Sequence, residues 1–221
     1  MRSTQRHPIP SDRDGFEAVV RDPCHVRHFL DDEVSHEDVE HMVGLATCAA
    51  STCNTQAWRF IAIQDHQLIA AMGDAVLERF EELALRPGLA LQEQKRRVAR
   101  AQALFFAKAP LCIAVLALPV ASPMEELLKL AGMSPEELDR LCVRPELQSA
   151  GAAVQLLSAS AHAMGYAACW TCAPIIAGER LERLLDVAPP ARLVALVSIG
   201  RPAEVPTHPK RLPLEQVLSF R

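Results

Sequence analysis

Cys169-Trp170-Thr171-Cys172 is the spacing in this sequence that most directly suggests chemistry. A CxxC can bring two thiols together for disulfide exchange, zinc or an iron–sulfur cluster. Cys48 and Cys53 form a second, wider pair, and four thiolates from two pairs would suit a tetrahedral zinc ion. The first pair is poorly spaced for that role. The second lacks the strand–CxxC–helix setting found near the start of a thioredoxin domain. The plainer reading is that these thiols are small hydrophobes, packed in a core or near a cofactor. Seven cysteines are an odd number, which argues against a fully paired intrachain set, and a chain of 221 residues needs no staples. Reduced thiols and a cytoplasmic location are the simpler expectation.

The other reactive residue types are less organised. Eight histidines show no tight ligand spacing; His25 and His28 flank Arg27 without an obvious partner. No residue is therefore assigned as a catalytic acid or base, and none as a metal ligand. Ser51-Thr52-Cys53-Asn54-Thr55 gathers short polar groups, but a hydrolytic triad is geometric and is not revealed by such a run. Lys95, Arg96, Arg97 and Arg100 give one segment a basic face, read as a solvated or salt-bridged surface or, more sharply, as a phosphate contact. There is no GxGxxG, no GxxxxGK[ST], no HExxH and no GxSxG. A net charge of -4 supports neither a dominant nucleic-acid surface nor an anionic-membrane surface. The longest nearly apolar run, Leu111 to Ala121, is too short for a membrane-spanning helix. Met1 to Arg6 is not followed by an apolar signal segment. With half its residues hydrophobic and 23% charged, the chain is expected to fold.

The elements that must position these residues follow from periodicity and punctuation. Residues 1–13 read as a tail and 14–221 as one domain. Asp14 to Arg21 suits a short helix docking on a larger body, ended by Pro23. Ser35-His36-Glu37-Asp38 resembles a capping box ahead of a helix whose stripe is Val39, Met42, Val43, Ala46 and Ala49. Trp58 to Ile63 reads as a buried strand, and helices follow near 66–84 and 90–107, broken around Pro87-Gly88. Leu111 to Leu118 is continuously apolar, as in a strand buried on both faces. Two shorter helices are expected between Pro123 and Cys142, the second started by Ser134-Pro135-Glu136-Glu137. Gln148 to Met164 is a long helix with small or apolar groups on nearly every face, suited to a deep core or an obligate dimer. Extended structure at Tyr166 to Trp170, helix at Pro174 to Leu185 and a strand at Ala191 to Ile199 complete the body. Gly200 to Pro213 reads as a proline-rich return and the last residues as an arm. Alternating helices and separated strands favour an α/β or α+β sandwich over a helical bundle.

Three segments in order resemble the FMN-dependent nitroreductase family. The first is His25-Val26-Arg27-His28-Phe29 with Ser51 through Phe60, similar to the family's Arg-rich opening and its Ser-x-x-Asn-x-Gln-Pro-Trp-x-Phe block. The second is Gln148 through Trp170, similar to the family's central helix and following strand. The third is Ser198-Ile199-Gly200-Arg201-Pro202 with Lys210-Arg211-Leu212-Pro213-Leu214-Glu215, similar to its last strand, turn and basic return. Ala57 stands where the family has proline, and the first arginine and the serine of the opening are absent.

The resemblance implies an α+β fold, a three-layer α/β/α sandwich with a central, mostly antiparallel sheet. It implies a homodimer with FMN at the subunit interface. Arg27 and Arg211 match basic residues facing the FMN phosphate or ribityl chain, with Arg21, His25 and Lys210 as candidates to replace missing contacts. Ser51, Thr52, Asn54 and Gln56 match the polar loop bonded to the flavin. Trp170, Thr171, Cys172 and Ala173 match the backbone along the isoalloxazine ring, with the Cys172 peptide N–H as candidate donor to N5. The activity implied is an NADH- or NADPH-dependent oxidoreductase passing hydride through FMN to a nitroaromatic, quinone or related acceptor. Acceptor choice is expected to lie in a helical excursion over 84–147, and the dimer contact in an arm over 212–221. Other enzymes on this scaffold oxidise a bound substrate or dismantle reduced flavin. A flavin carrier without NAD(P)H turnover and a thiol or zinc protein remain the other classes.

Overall fold

The Leu111–Ala117 run forms the central strand of the sheet, and every one of its residues is buried. The structure is a computed structural model and describes residues 12–21, 26–90, 92–120, 122–203 and 210–221. His25 and residues 1–11 therefore lie outside the described residues, as does 204–209 of the proline-rich return.

The elements run α1 (Arg13–Arg21), α2 (His36–Ala46), β1 (Trp58–Ile63), α3 (His66–Ala84), α4 (Pro87–Ala90), α5 (Glu93–Leu104) and β2 (Leu111–Ala117). They continue with α6 (Pro123–Leu130), α7 (Pro135–Cys142), α8 (Pro145–Ala163), β3 (Ala167–Thr171), α9 (Gly178–Leu184) and β4 (Arg192–Gly200). Short 3-10 turns stand at Thr52–Asn54, Phe105–Lys108, Ala173–Ala177 and Leu214–Gln216. The four strands are ordered β1-β2-β4-β3, and each neighbouring pair is antiparallel.

Alternation along β2 explains why its sequence is apolar throughout. Leu111, Ile113 and Val115 face one helical layer, with Met42 and Ala46 of α2 and Ala150, Val154 and Leu157 of α8. Cys112, Ala114 and Leu116 face the other, with Ile69, Met72 and Val76 of α3 and Leu181 of α9. Each face of the sheet is therefore covered by helices, which makes three layers. A bulge refines the pattern. Val115 pairs with Ala195 and Leu116 with Leu193, leaving Val194 as the extra residue. Val194 and Ala195 then both pack against the α2/α8 layer.

The expected start and stop signals act as physics dictates. Ser35 Oγ accepts the Asp38 N–H at 3.1 Å, opening α2. The Asp38 carboxylate does not close the box; it accepts the Tyr166 hydroxyl at 2.6 Å instead. At α7 the full box forms, because Glu137 reaches back to the Ser134 N–H at 2.8 Å. The long central helix starts at Pro145, three residues before the expected Gln148, because proline suits the first helical turn. It ends where Gly165 takes φ +77° and the Tyr166 N–H donates to Ala161.

Two expectations change. α1 forms and touches α8, yet buries none of its side chains, and Phe16 and Val20 stay exposed. The body it was expected to dock on is not supplied by the described chain. The span 84–147 is not one peripheral excursion, since it contains the central strand β2. Its helical parts separate into α4–α5 and α6–α7. No described helix is long and apolar enough to cross a membrane.

Candidate functional site

Among the described residues β3 lies at the edge of the sheet, paired only with β4, so its outer side offers backbone groups to a ligand or a second chain. Cys169 is buried in this strand, Trp170 is 42% exposed, and Cys172 is exposed just beyond its end. Thr171 Oγ1 accepts the Ala173 N–H at 3.3 Å and donates to the Gln102 carbonyl at 3.4 Å, fixing the strand's exit against α5.

Arg27 reaches this edge from the other side of the sequence. Its guanidinium lies 5.8 Å from the centre of the Phe105 ring. Burial raises the Cys169 pKa, and the nearby Arg27 charge opposes that shift. The segment carrying Arg27 is pinned on both sides. Val26 is buried, Phe29 pairs with Pro202, and the Leu30 N–H donates to the Arg201 carbonyl at 2.9 Å.

The polar turn before β1 packs against α8, the helix that Trp170 also faces. The Thr52 N–H donates to Ser149 Oγ at 3.3 Å, near the start of α8. An α8 neighbour, Gly151, faces the Trp170 ring: a Cβ there would stand 3.6 Å from its tip. The turn is strained, with φ of 51° at Cys53, 53° at Asn54 and 46° at Gln56, none of them glycine. Ser51 Oγ accepts the Gln56 N–H at 3.0 Å, so that hydroxyl braces the turn from within. Asn54 and Gln56 are exposed, and neither side chain has a hydrogen bond among the described residues.

The structure thus sets Arg27 near Cys169 and the 51–56 turn against Ser149, the turn leading into β1 at the opposite edge of the sheet from β3. Other expected residues stand apart. Arg21 is held at 3.1 Å by Glu17 on the exposed helix α1. Lys210 and Arg211 are exposed and have no ion pair among the described residues. Phe105, Gln102 and Ser149 were not singled out from sequence, because each acts through a partner distant in the chain.

The CxxC does not present an equivalent pair of thiols, one being buried and the other exposed. Burial pushes the Cys112 thiol up to about 12, which makes it unreactive at neutral pH. Among the described residues no group of His, Cys, Asp or Glu side chains is arranged to hold a metal ion.

A second polar cluster braces the opposite end of β3. The Arg201 guanidinium lies 4.7 Å from the Tyr166 ring centre and donates to the Gly165 carbonyl at 3.2 Å. The Tyr166 hydrogen bond, with Ser35 second, holds the Asp38 pKa below its ordinary 3.8. Asp38 in turn raises the Tyr166 pKa above 10.0, with burial adding to it. The Asp38 contribution to stability is present above pH 3.8 and lost as pH falls through its lower folded value. The Tyr166 contribution is present below pH 10.0 and lost as pH rises through its higher folded value. A Tyr166→Phe chain should therefore melt below the parent across the window between these limits, and the gap should close at both ends. Thermal melts across pH read this directly; a gap independent of pH would refute the pairing.

Comparisons with known proteins bear on the family and the fold. The model of the Nitroreductase family matches residues 25–201. A BluB-like flavoprotein from Clostridium difficile 630 superposes with a TM-score of 0.86 at 26% identity, over 93% of this chain and 98% of that one. NfrA1 nitroreductase from B. subtilis shares the fold with a TM-score of 0.66 at 17% identity, over 93% and 73% of the two chains. A curated relative, 5,6-dimethylbenzimidazole synthase of Rhodospirillum rubrum, is 32% identical over 107 residues, 48% of this chain. The match spans about half the length of that relative, 49%. With a family model covering most of its length and the same layered fold, the chain belongs to the nitroreductase family.

Proposed function

We propose that the chain is an FMN-dependent oxidoreductase that takes electrons from NADH or NADPH and delivers them to a nitroaromatic, quinone or related acceptor. The observation that carries this reading is the position of Arg27, a cation set beside the edge strand whose exit is braced by Gln102. The residues fit the cofactor's chemistry. An arginine fork suits a phosphate or ribityl hydroxyl, and an unpaired strand edge suits the polar rim of a flavin ring. Three consecutive steps of strand from Cys169 span roughly 10 Å. That is the scale of a fused ring system.

Bound FMN would supply the two-electron redox chemistry. The chain's own part is to bind and orient. Arg27 holds the charged end, and Asn54 and Gln56 supply polar side chains from a turn too strained to move freely. The Cys172 peptide N–H would stabilise charge developing at the ring. Lys210 and Arg211 would act from the C-terminal segment of a second copy, with FMN at the dimer interface. α6 and α7 expose Met124, Leu127, Leu130 and Leu141, a face suited to covering an acceptor in that dimer.

The test is an absorbance spectrum of purified protein before and after adding FMN and removing the excess. Roughly one FMN per chain is expected, bleached by NADH or NADPH under nitrogen. Arg27→Glu should retain at least tenfold less. No retained flavin would sink the reading, whereas flavin that neither nucleotide bleaches would favour a carrier. A second reading is favoured by the curated relative: formation of 5,6-dimethylbenzimidazole, whose dimethylated ring and two nitrogens also occur in the isoalloxazine. Chromatography of products from reduced FMN and oxygen would separate the two.

A further inference from the structure

A cavity of about 420 Å³ opens between α3, α5 and the Ala173–Ala177 turn that follows β3. Its floor is apolar: Ala84 and Ala103 are buried, and Phe80, Leu83 and Ile176 form the walls. Its polar lining is Gln92, Lys95 and Arg96, with no carboxylate. Gln92 and Lys95 are exposed and Arg96 is half-buried, so the polar groups mark the open side. The helix carries other cations, but Arg100 is compensated by Glu81 at 3.7 Å. Lys95 and Arg96 have no ion pair among the described residues. Arg96 also faces an adjoining depression that contains Glu81 and Glu93 with Arg97 and Arg100, so Lys95 is the cation that the cavity has to itself.

An apolar chamber with an uncompensated cationic rim selects an apolar body bearing one anionic group. A neutral ligand gains nothing from the charged rim, whereas one anionic group can pair with Lys95, the cation that no other depression shares. Its volume lies within the range of small-ligand sites, and Phe80 supplies an aromatic wall. We infer that this cavity binds an aromatic monocarboxylate of about the size of nitrobenzoate. Its place beside Ala173 makes it a holding site for acidic aromatic acceptors, an assignment that rests on the oxidoreductase reading; the binding chemistry does not.

The test uses the full-length purified protein, its flavin content read by absorbance, titrated calorimetrically with 4-nitrobenzoate and with methyl 4-nitrobenzoate. One carboxylate per chain is expected, with the ester at least tenfold weaker. Lys95→Ala combined with Arg96→Ala should weaken the acid at least tenfold and leave the ester unchanged. Ala99 is an exposed wall residue, so Ala99→Trp should fill the chamber and abolish both without unfolding the chain. Absence of saturable binding, equal affinity for acid and ester, or full binding by the Ala99→Trp chain would each overturn the inference. Binding with this pattern in a chain that retains no flavin would uphold the cavity and sink the oxidoreductase reading. Retained flavin that NADH or NADPH bleaches, without such binding, would do the reverse.

Discussion

A Phe106→Ala chain is expected to lose about 3–5 kcal/mol of stability, the range for removing a fully buried aromatic side chain. Phe106 is 0% exposed and packs with Ile69, Met72 and Leu181 between the sheet and the α3/α9 layer. The turn that carries it cannot collapse inward to fill the gap. A Cβ at Gly73 would stand 2.9 Å from Ala107, so α3 already meets that turn as closely as glycine permits. The neighbouring Phe105 faces Arg27, so the same substitution should loosen the Arg27 side of the proposed flavin site. Arg27→Ala is the companion: Arg27 is exposed, and losing its ring contact should cost no more than about 1 kcal/mol. Urea unfolding of flavin-free protein measures both. A loss below about 1 kcal/mol for Phe106→Ala would mean that the turn is not packed as described.

Local features were legible because their causes are local. The continuous apolar run of β2 announced a strand covered on both faces, and both faces are covered. Ser134 with Glu137 announced a helix start and formed the full capping box. The site was legible only in outline. The Thr52–Ser149 bond joins residues 97 apart, and the Tyr166–Asp38 bond joins residues 128 apart. No periodicity records such a meeting. The positive φ values at Cys53, Asn54 and Gln56 were hidden for a different reason: no glycine marks them, and the bonds that brace the turn, such as Gln56 N–H to Ser51 Oγ, follow no periodic pattern. Asp38 shows the cost of reading a motif alone. It stands in the acidic position of a capping box, but its carboxylate bonds to Tyr166 across the fold.

Deleting residues 212–221 should convert a dimer into a monomer and strip it of flavin while leaving the fold of each chain in place. Leu212, Leu214, Val217, Leu218 and Phe220 are between 43% and 89% exposed, and no residue of the segment is buried. Exposed apolar side chains clustered so densely at one terminus have no stabilising role within their own chain. Burying each is worth roughly 1.5–3 kcal/mol, on the order of 10 kcal/mol for one arm. Two reciprocal arms would exceed the ~4–15 kcal/mol that association costs in lost freedom, so the arms alone can sustain a dimer. The exposed Phe16 and Val20 of α1 would add to the same interface without replacing it. Lys210 and Arg211 directly precede the deletion and would lose the anchor that brings them to the partner's flavin. Sedimentation equilibrium should fall from twice 24.2 kDa for the full-length chain to roughly a single chain. Flavin retention should drop at least tenfold, and the thermal transition of flavin-free protein should fall and lose its dependence on protein concentration while staying cooperative. A truncated chain that remains dimeric and keeps its flavin would move the interface to α1 and the α6–α7 face and would remove Lys210 and Arg211 from the site.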